Sequence, residues 1–104
     1  MRLECVKSFI SVVDHQSFSK AAKSLFISQP TVSTHIRQLE EELGVQLLVR
    51  STKAVLPSEE GRIFYPFAVQ LLETEDCARK CLEEEQTGIT ARAEPGRKRI
   101  ANGG

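Results

Sequence analysis

Gln29, Thr31, Ser33, Thr34 and Arg37 lie within one short stretch of the chain and carry the groups needed to read the edge of a base pair. A carboxamide such as Gln29 can pair with adenine N6 and N7 together, while Pro30 and the threonine methyl groups can pack on a thymine methyl. The hydroxyls of Ser33 and Thr34 can bond phosphate or base oxygens, and Arg37 can reach a phosphate or a guanine. No acidic residue falls between Ser28 and Gln38, so nothing in this stretch repels a polyanion.

These side chains can act together only if one element presents them. Val32, Ile36, Leu39 and Leu43 recur at steps of four, three and four, which gathers them into one apolar stripe of a helix and turns the polar set to the other side. Ser28 suits its N-cap, Pro30 its first turn and Gly44 its C-terminal stop. Upstream, Leu3, Val6, Phe9, Ile10, Val12 and Val13 follow a helical rhythm that the run Asp14-His15-Gln16 ends. Ser17 reads as the N-cap of a short second helix, Phe18 to Leu25, in which Ala21 and Ala22 permit close approach of another helix. Only Phe26 and Ile27 separate it from Ser28, which is helix-turn-helix spacing without the glycine often found at that turn.

Beyond Gly44 the segment from Val45 to Pro57 alternates apolar and β-branched residues around the tract Arg50-Ser51-Thr52-Lys53, predicting a small two-stranded wing. Ser58, Glu59 and Glu60 then open a long helix running to about Glu85, roughly 40 Å at about 1.5 Å per residue. Its apolar stripe of Ile63, Phe64, Phe67, Leu71, Ala78 and Leu82, flanked by Leu72 and Cys81, exceeds what so small a body can bury, and a second copy of the helix is the expected partner. Pro66 predicts a kink near Arg62 to Pro66. Residues 87–104 are basic, rich in glycine and without apolar periodicity, and read as a disordered tail.

The bulk properties fit this plan. A chain of 104 residues, 40% hydrophobic and 27% charged, supports one small globular body. Its formal net charge of zero hides a gradient: residues 1–56 hold seven basic and five acidic side chains, residues 57–86 three and eight, and residues 87–104 four and one. A mildly basic first half is compatible with DNA. No apolar run is long enough to cross a bilayer, and charges interrupt the first residues where a signal peptide needs an apolar core, so a cytoplasmic location is expected. Cys5 reads as core, and Cys77 and Cys81 as small hydrophobes of the helix-pairing face; their spacing is that of neither a disulfide scaffold nor a zinc site. No metal, cofactor or catalytic motif is expected, so an enzyme is not.

Taken together, the residues resemble the amino-terminal domain of LysR-type transcriptional regulators. The resemblance rests on Phe9 and Val12 or Val13; Ser17-Phe18 and Ala21-Ala22; Ser28-Gln29-Pro30-Thr31-Val32-Ser33; Ile36, Leu39-Glu40 and Leu43-Gly44; Leu47-Leu48 and Arg50; and Ser58 and Gly61. It covers about residues 1–86 and implies a mainly α fold: a winged helix-turn-helix with a three-helix core and a small two-stranded wing over 1–57, then a linker or dimerisation helix over 58–86. It further implies a regulator that binds double-stranded DNA as a homodimer, or a higher oligomer, through antiparallel pairing of that helix. In the family an effector domain follows, and here it is expected to be absent. Thr34 and Lys53 stand where the family commonly has arginine, and His35 where it often has glutamine. Val49, Pro57 and Glu60 replace phenylalanine, leucine and alanine. Without a guanine-reading arginine at position 34, base preference should differ from members that have one.

The expected DNA-contacting set is therefore Ser17, Ser28, Gln29, Pro30, Thr31, Ser33, Thr34, His35, Arg37, Arg50 and Lys53. Ser17 and Ser28 would hold phosphates beside the helix starts, and Arg50 and Lys53 would follow the backbone or minor groove. Two members have structural alternatives: Arg50 as the ion-pair partner of a carboxylate such as Glu40, and His35 as a partly buried residue packed on the wing. The competing function is a protein-interaction module in which the helix-turn-helix is only a scaffold.

Overall fold

A computed structural model describes residues 1–87. Its elements are α1 (Leu3–His15), α2 (Phe18–Leu25), α3 (Gln29–Leu43), β1 (Leu48–Arg50), β2 (Val55–Pro57) and α4 (Glu59–Thr87). This is a mainly helical winged helix-turn-helix followed by a long helix. The expected tail lies, from residue 88 onward, outside the described residues.

Local chemistry sets the helix ends. Helix α1 runs two residues past Val13 and stops where Gln16 turns left-handed at φ 56°, its N–H donating to the Val12 carbonyl at 2.7 Å. Helix α2 begins at the Ser17 cap, whose Oγ accepts the Lys20 N–H, and ends at Phe26. At φ 59° Phe26 takes the conformation glycine usually supplies at a helix C-terminus, while 94% of its surface is exposed. Helix α3 starts at Ser28 and stops at Gly44, φ 73°.

The structure divides into two compact units, Met1–Leu72 and a second beginning at Glu73. In the first, Val6, Phe9, Val12, Ala21, Val32, Leu39 and Leu47 are fully buried, and so is Ala68 of α4. Each large apolar side chain so buried contributes about 1.5–3 kcal/mol. The first half of α4 thus completes the winged body: the Phe64 and Phe9 ring centroids are 5.5 Å apart, and the Tyr65 hydroxyl donates to Asp14 Oδ1 at 2.7 Å. Gly61 makes the approach possible, since a Cβ there would lie 2.1 Å from the Leu47 carbonyl oxygen. Helix α4 continues through Pro66.

The wing is antiparallel, pairing Leu48 with Pro57, Val49 with Leu56 and Arg50 with Val55. Pro57 lies on a strand with a single neighbour, where a missing N–H costs little. The Val55 N–H donates to the Gln16 carbonyl at 3.1 Å, and the Ser58 N–H to the Leu47 carbonyl at 2.9 Å. At the tip, Ser51 Oγ accepts from the Ala54 and Lys53 N–H groups and donates to the Ala54 carbonyl.

In the second unit α4 is exposed along its described length apart from half-buried Glu75. Arg79 pairs with Glu75, and Lys80 with Asp76 at 3.2 Å, both one helical turn apart. Cys77 and Cys81 are exposed there, whereas Cys5 is buried, its thiol pushed up from the ordinary value chiefly by that burial. Among the described residues no helix is long and apolar enough to cross a membrane.

Candidate nucleic-acid interface

Charge separates the four helices into two kinds. Helices α1 and α4 carry acids in their first turns, Glu4 in one and Glu59 with Glu60 in the other, and these offset the positive end of each helix dipole. Helices α2 and α3 have none. Their N-termini are capped by neutral hydroxyls, so the helix-turn-helix keeps two positive helix ends available to an anion.

At the start of α3, Gln29 and Pro30 are exposed. Ser28 Oγ accepts the Thr31 N–H at 3.2 Å and lies 2.7 Å from Thr31 Oγ1, so the Thr31 hydroxyl takes part in the cap while its methyl remains for contact. Val32, Ile36 and Leu39 face the core and Leu43 is half-buried. Ser33 and Thr34 fall on opposite flanks of the outward ridge. Ser33 and Arg37 line a cleft of about 390 Å³ between α3 and the wing, together with Phe18, Glu40, Gln46 and Arg50. Thr34 lines a depression of about 260 Å³ on the other flank with Arg2, Pro30 and Gln38.

Two structural alternatives read from the sequence are corrected. Arg50 does not pair with Glu40: its guanidinium carbon lies 4.3 Å from the centroid of the Phe18 ring, while Glu40 Oε2 accepts the N–H groups of Leu47 at 2.7 Å and Leu48 at 3.3 Å. The loop after α3 needs an acceptor for these amides, and Glu40 supplies it. His35 is half-buried but does not pack on the wing; its Nδ1 is 2.7 Å from Oγ of Ser8, a fully buried residue of α1. Phe64 is half-buried, with its ring on Phe9, while Ile63 is 61%, Phe67 59% and Leu71 40% exposed; in the second unit Leu82 is 65% exposed. Ala78 is exposed as well.

Ser17 is half-buried at its cap, and Lys53 is exposed in the wing turn. Sequence reasoning did not find Phe18 as a platform for Arg50, nor Glu40 as a tether of the wing. The signal for Glu40 was available: an acid one position beyond core residue Leu39, four after Ile36 on the flank of the buried stripe. Ser8, a polar residue next to Phe9 and three before Ser11 on the core side of α1, was the matching signal for His35.

A family model described as "Bacterial regulatory helix-turn-helix protein, lysR family" matches residues 3–62. The chain is 47% identical over 76 residues to the HTH-type transcriptional regulator BenM of Acinetobacter baylyi, covering 73% of this chain and 25% of that protein. It is similar, at TM-score 0.82 and 40% identity, to the crystal structure of a BenM DBD in complex with catB site 1 DNA, covering 89% of this chain and 100% of that one. It is also similar to full-length CbnR complexed with its target DNA, at TM-score 0.76 and 31% identity, with 81% of this chain and 29% of that chain covered. The chain thus spans about a quarter of the curated relative BenM.

Proposed function

The chain belongs to the lysR family of bacterial regulatory helix-turn-helix proteins, and from that premise we propose that it binds double-stranded DNA sequence-specifically as a transcriptional regulator. The observation that carries the reading is the unoffset positive starts of α2 and α3, set beside an exposed Gln29 and Pro30 and a cleft holding Arg37 and Arg50. Helix α3 enters the major groove, where Gln29, Pro30, Thr31, Ser33 and Thr34 face base edges, and Ser17 and Ser28 stand beside backbone phosphates. The wing follows the backbone or minor groove through Arg50 and Lys53. His35, held by Ser8, orients α3 on α1 and reaches the duplex only with its remaining ring edge. The similar BenM DBD and full-length CbnR structures are DNA complexes, which supports the reading by analogy.

The winged body and the long helix have separate roles in this reading, and no catalytic residue, cofactor or metal enters it. Ile63, Phe67, Leu71, Ala78 and Leu82, with the exposed part of Phe64, supply the face on which a second copy pairs, so that two copies of α3 meet a partly symmetric site. The protein acts in the cytoplasm, where its DNA is.

Selection of duplexes from a random library tests this. Binding should fall steeply with salt; Gln29→Ala should change the selected sequence, and Lys53→Ala should lower affinity for all sequences alike. A chain with no duplex affinity at low salt would instead be a protein-interaction module.

A further inference from the structure

Arg50 closes β1, and its guanidinium rests on the face of Phe18, the first residue of α2. The two residues differ in freedom. Phe18 is only 6% exposed and held behind the Ser17 cap, whereas Arg50 is exposed. A guanidinium on an aromatic face is held by the ring's negative quadrupole and still has N–H groups around its planar edge for another acceptor. The neighbouring carboxylate, Glu40, bonds the Leu47 and Leu48 amides through Oε2.

The cleft lined by Arg50 also takes Arg37 from α3, with Ser33 and Gln46 on its walls. Glu40 lines the same opening but has one oxygen engaged by the Leu47 and Leu48 amides, so two guanidinium groups and a hydroxyl outweigh its charge and suit a phosphodiester, which can accept from both guanidinium groups at once; a base edge pairs with one.

Resting on the DNA reading above, we propose that Phe18 is a positioning residue that holds Arg50 onto a backbone phosphate of the duplex, with Arg37 approaching the same phosphate from the recognition helix. The aromatic face spares Arg50 the search among its many rotamers, so the wing meets the backbone with its cation already placed.

The test is a double-mutant cycle on the full chain, titrated against a pool of random-sequence duplexes over a salt series. Arg50→Ala should lower the slope of log affinity on log salt by about 0.9, one phosphate's worth. Phe18→Leu keeps an apolar side chain and should weaken binding about 2- to 5-fold. In the Arg50→Ala background Phe18→Leu should have no further effect, and Phe18→Tyr, which keeps the ring, should bind as the parent does. Arg50→Lys covers the case in which Phe18→Leu does not fold: it should keep the salt slope yet lose the same 2- to 5-fold, because an ammonium cannot lie flat on the ring. If Phe18→Leu weakens binding equally with and without Arg50, or Arg50→Lys binds as the parent does, Phe18 serves packing alone and the proposal is overturned. A parent chain without duplex affinity would overturn the DNA reading as well, which separates the two failures.

Discussion

Glu40 Oε2 accepts the Leu47 N–H at 2.7 Å, and through this bond α3 holds the base of the wing. The same oxygen takes the Leu48 N–H, and both leucines are buried, so water cannot easily replace it. Glu40→Ala should lower stability by about 1–3 kcal/mol, the usual cost of leaving buried donors without acceptors. Glu40→Gln, which retains an acceptor oxygen, should recover most of the loss. Urea unfolding of the two variants checks the difference.

Gly61 faces the same residue from the other side. A methyl at this position would meet the Leu47 carbonyl oxygen at 2.1 Å and its carbon at 3.1 Å, backbone atoms that cannot rotate away. Gly61→Ala should cost about 1–3 kcal/mol by overpacking. Gly44→Ala makes the contrast, since φ there is +73° and nothing lies within 4 Å of the added carbon. Its cost should be about 1 kcal/mol, all of it backbone conformation. Paired denaturation curves distinguish steric from conformational loss.

Stability should also depend on alkaline pH through Tyr65. Its hydrogen bond to Asp14, then burial, then the charge of Asp14 raise the phenol pKa above its ordinary 10.0. The folded state therefore holds this proton more tightly than the unfolded chain. The associated stability is fully present below about pH 10 and is lost as pH rises through the higher folded-state value. Tyr65→Phe should remove that part of the alkaline decline and cost about 0.5–1 kcal/mol at neutral pH. Urea melts of both proteins across this range measure it, the difference between them isolating the tyrosine.

Phe67 offers a test of pairing that spares the body. It is 59% exposed and stands outside the buried cluster, so Phe67→Glu should leave the melting of the winged body nearly unchanged. A charge on the proposed pairing face should nevertheless shift the chain from dimer to monomer in sedimentation equilibrium. Duplex affinity should fall with it, because two linked recognition helices bind far more tightly than one. A chain that sediments as a monomer before substitution would refute the pairing.

Much of this was legible in the residues. Ser17, Ser28 and Gly44 mark helix ends because caps act over three or four residues, and Val32, Ile36 and Leu39 mark the inward side of α3 because a helical period needs only its own sequence. The tight link through Phe26 and Ile27 was enough to place α2 against α3, even though the turn lacks glycine.

Choices among distant partners were left to the tertiary structure. Ile63 and Phe64 are adjacent and both apolar; the close approach at Gly61 and Ala68 decides that Phe64 meets Phe9 while Ile63 faces outward. Arg50 had an acid within reach of any sequence argument, yet Glu40 was taken by two amides and Phe18 by the arginine. His35 met Ser8 on α1, 27 residues away. Periodicity and capping are local and can be read along the chain, but a hydrogen bond or a ring contact goes to whichever group packing brings near, and that is settled only when the elements have met.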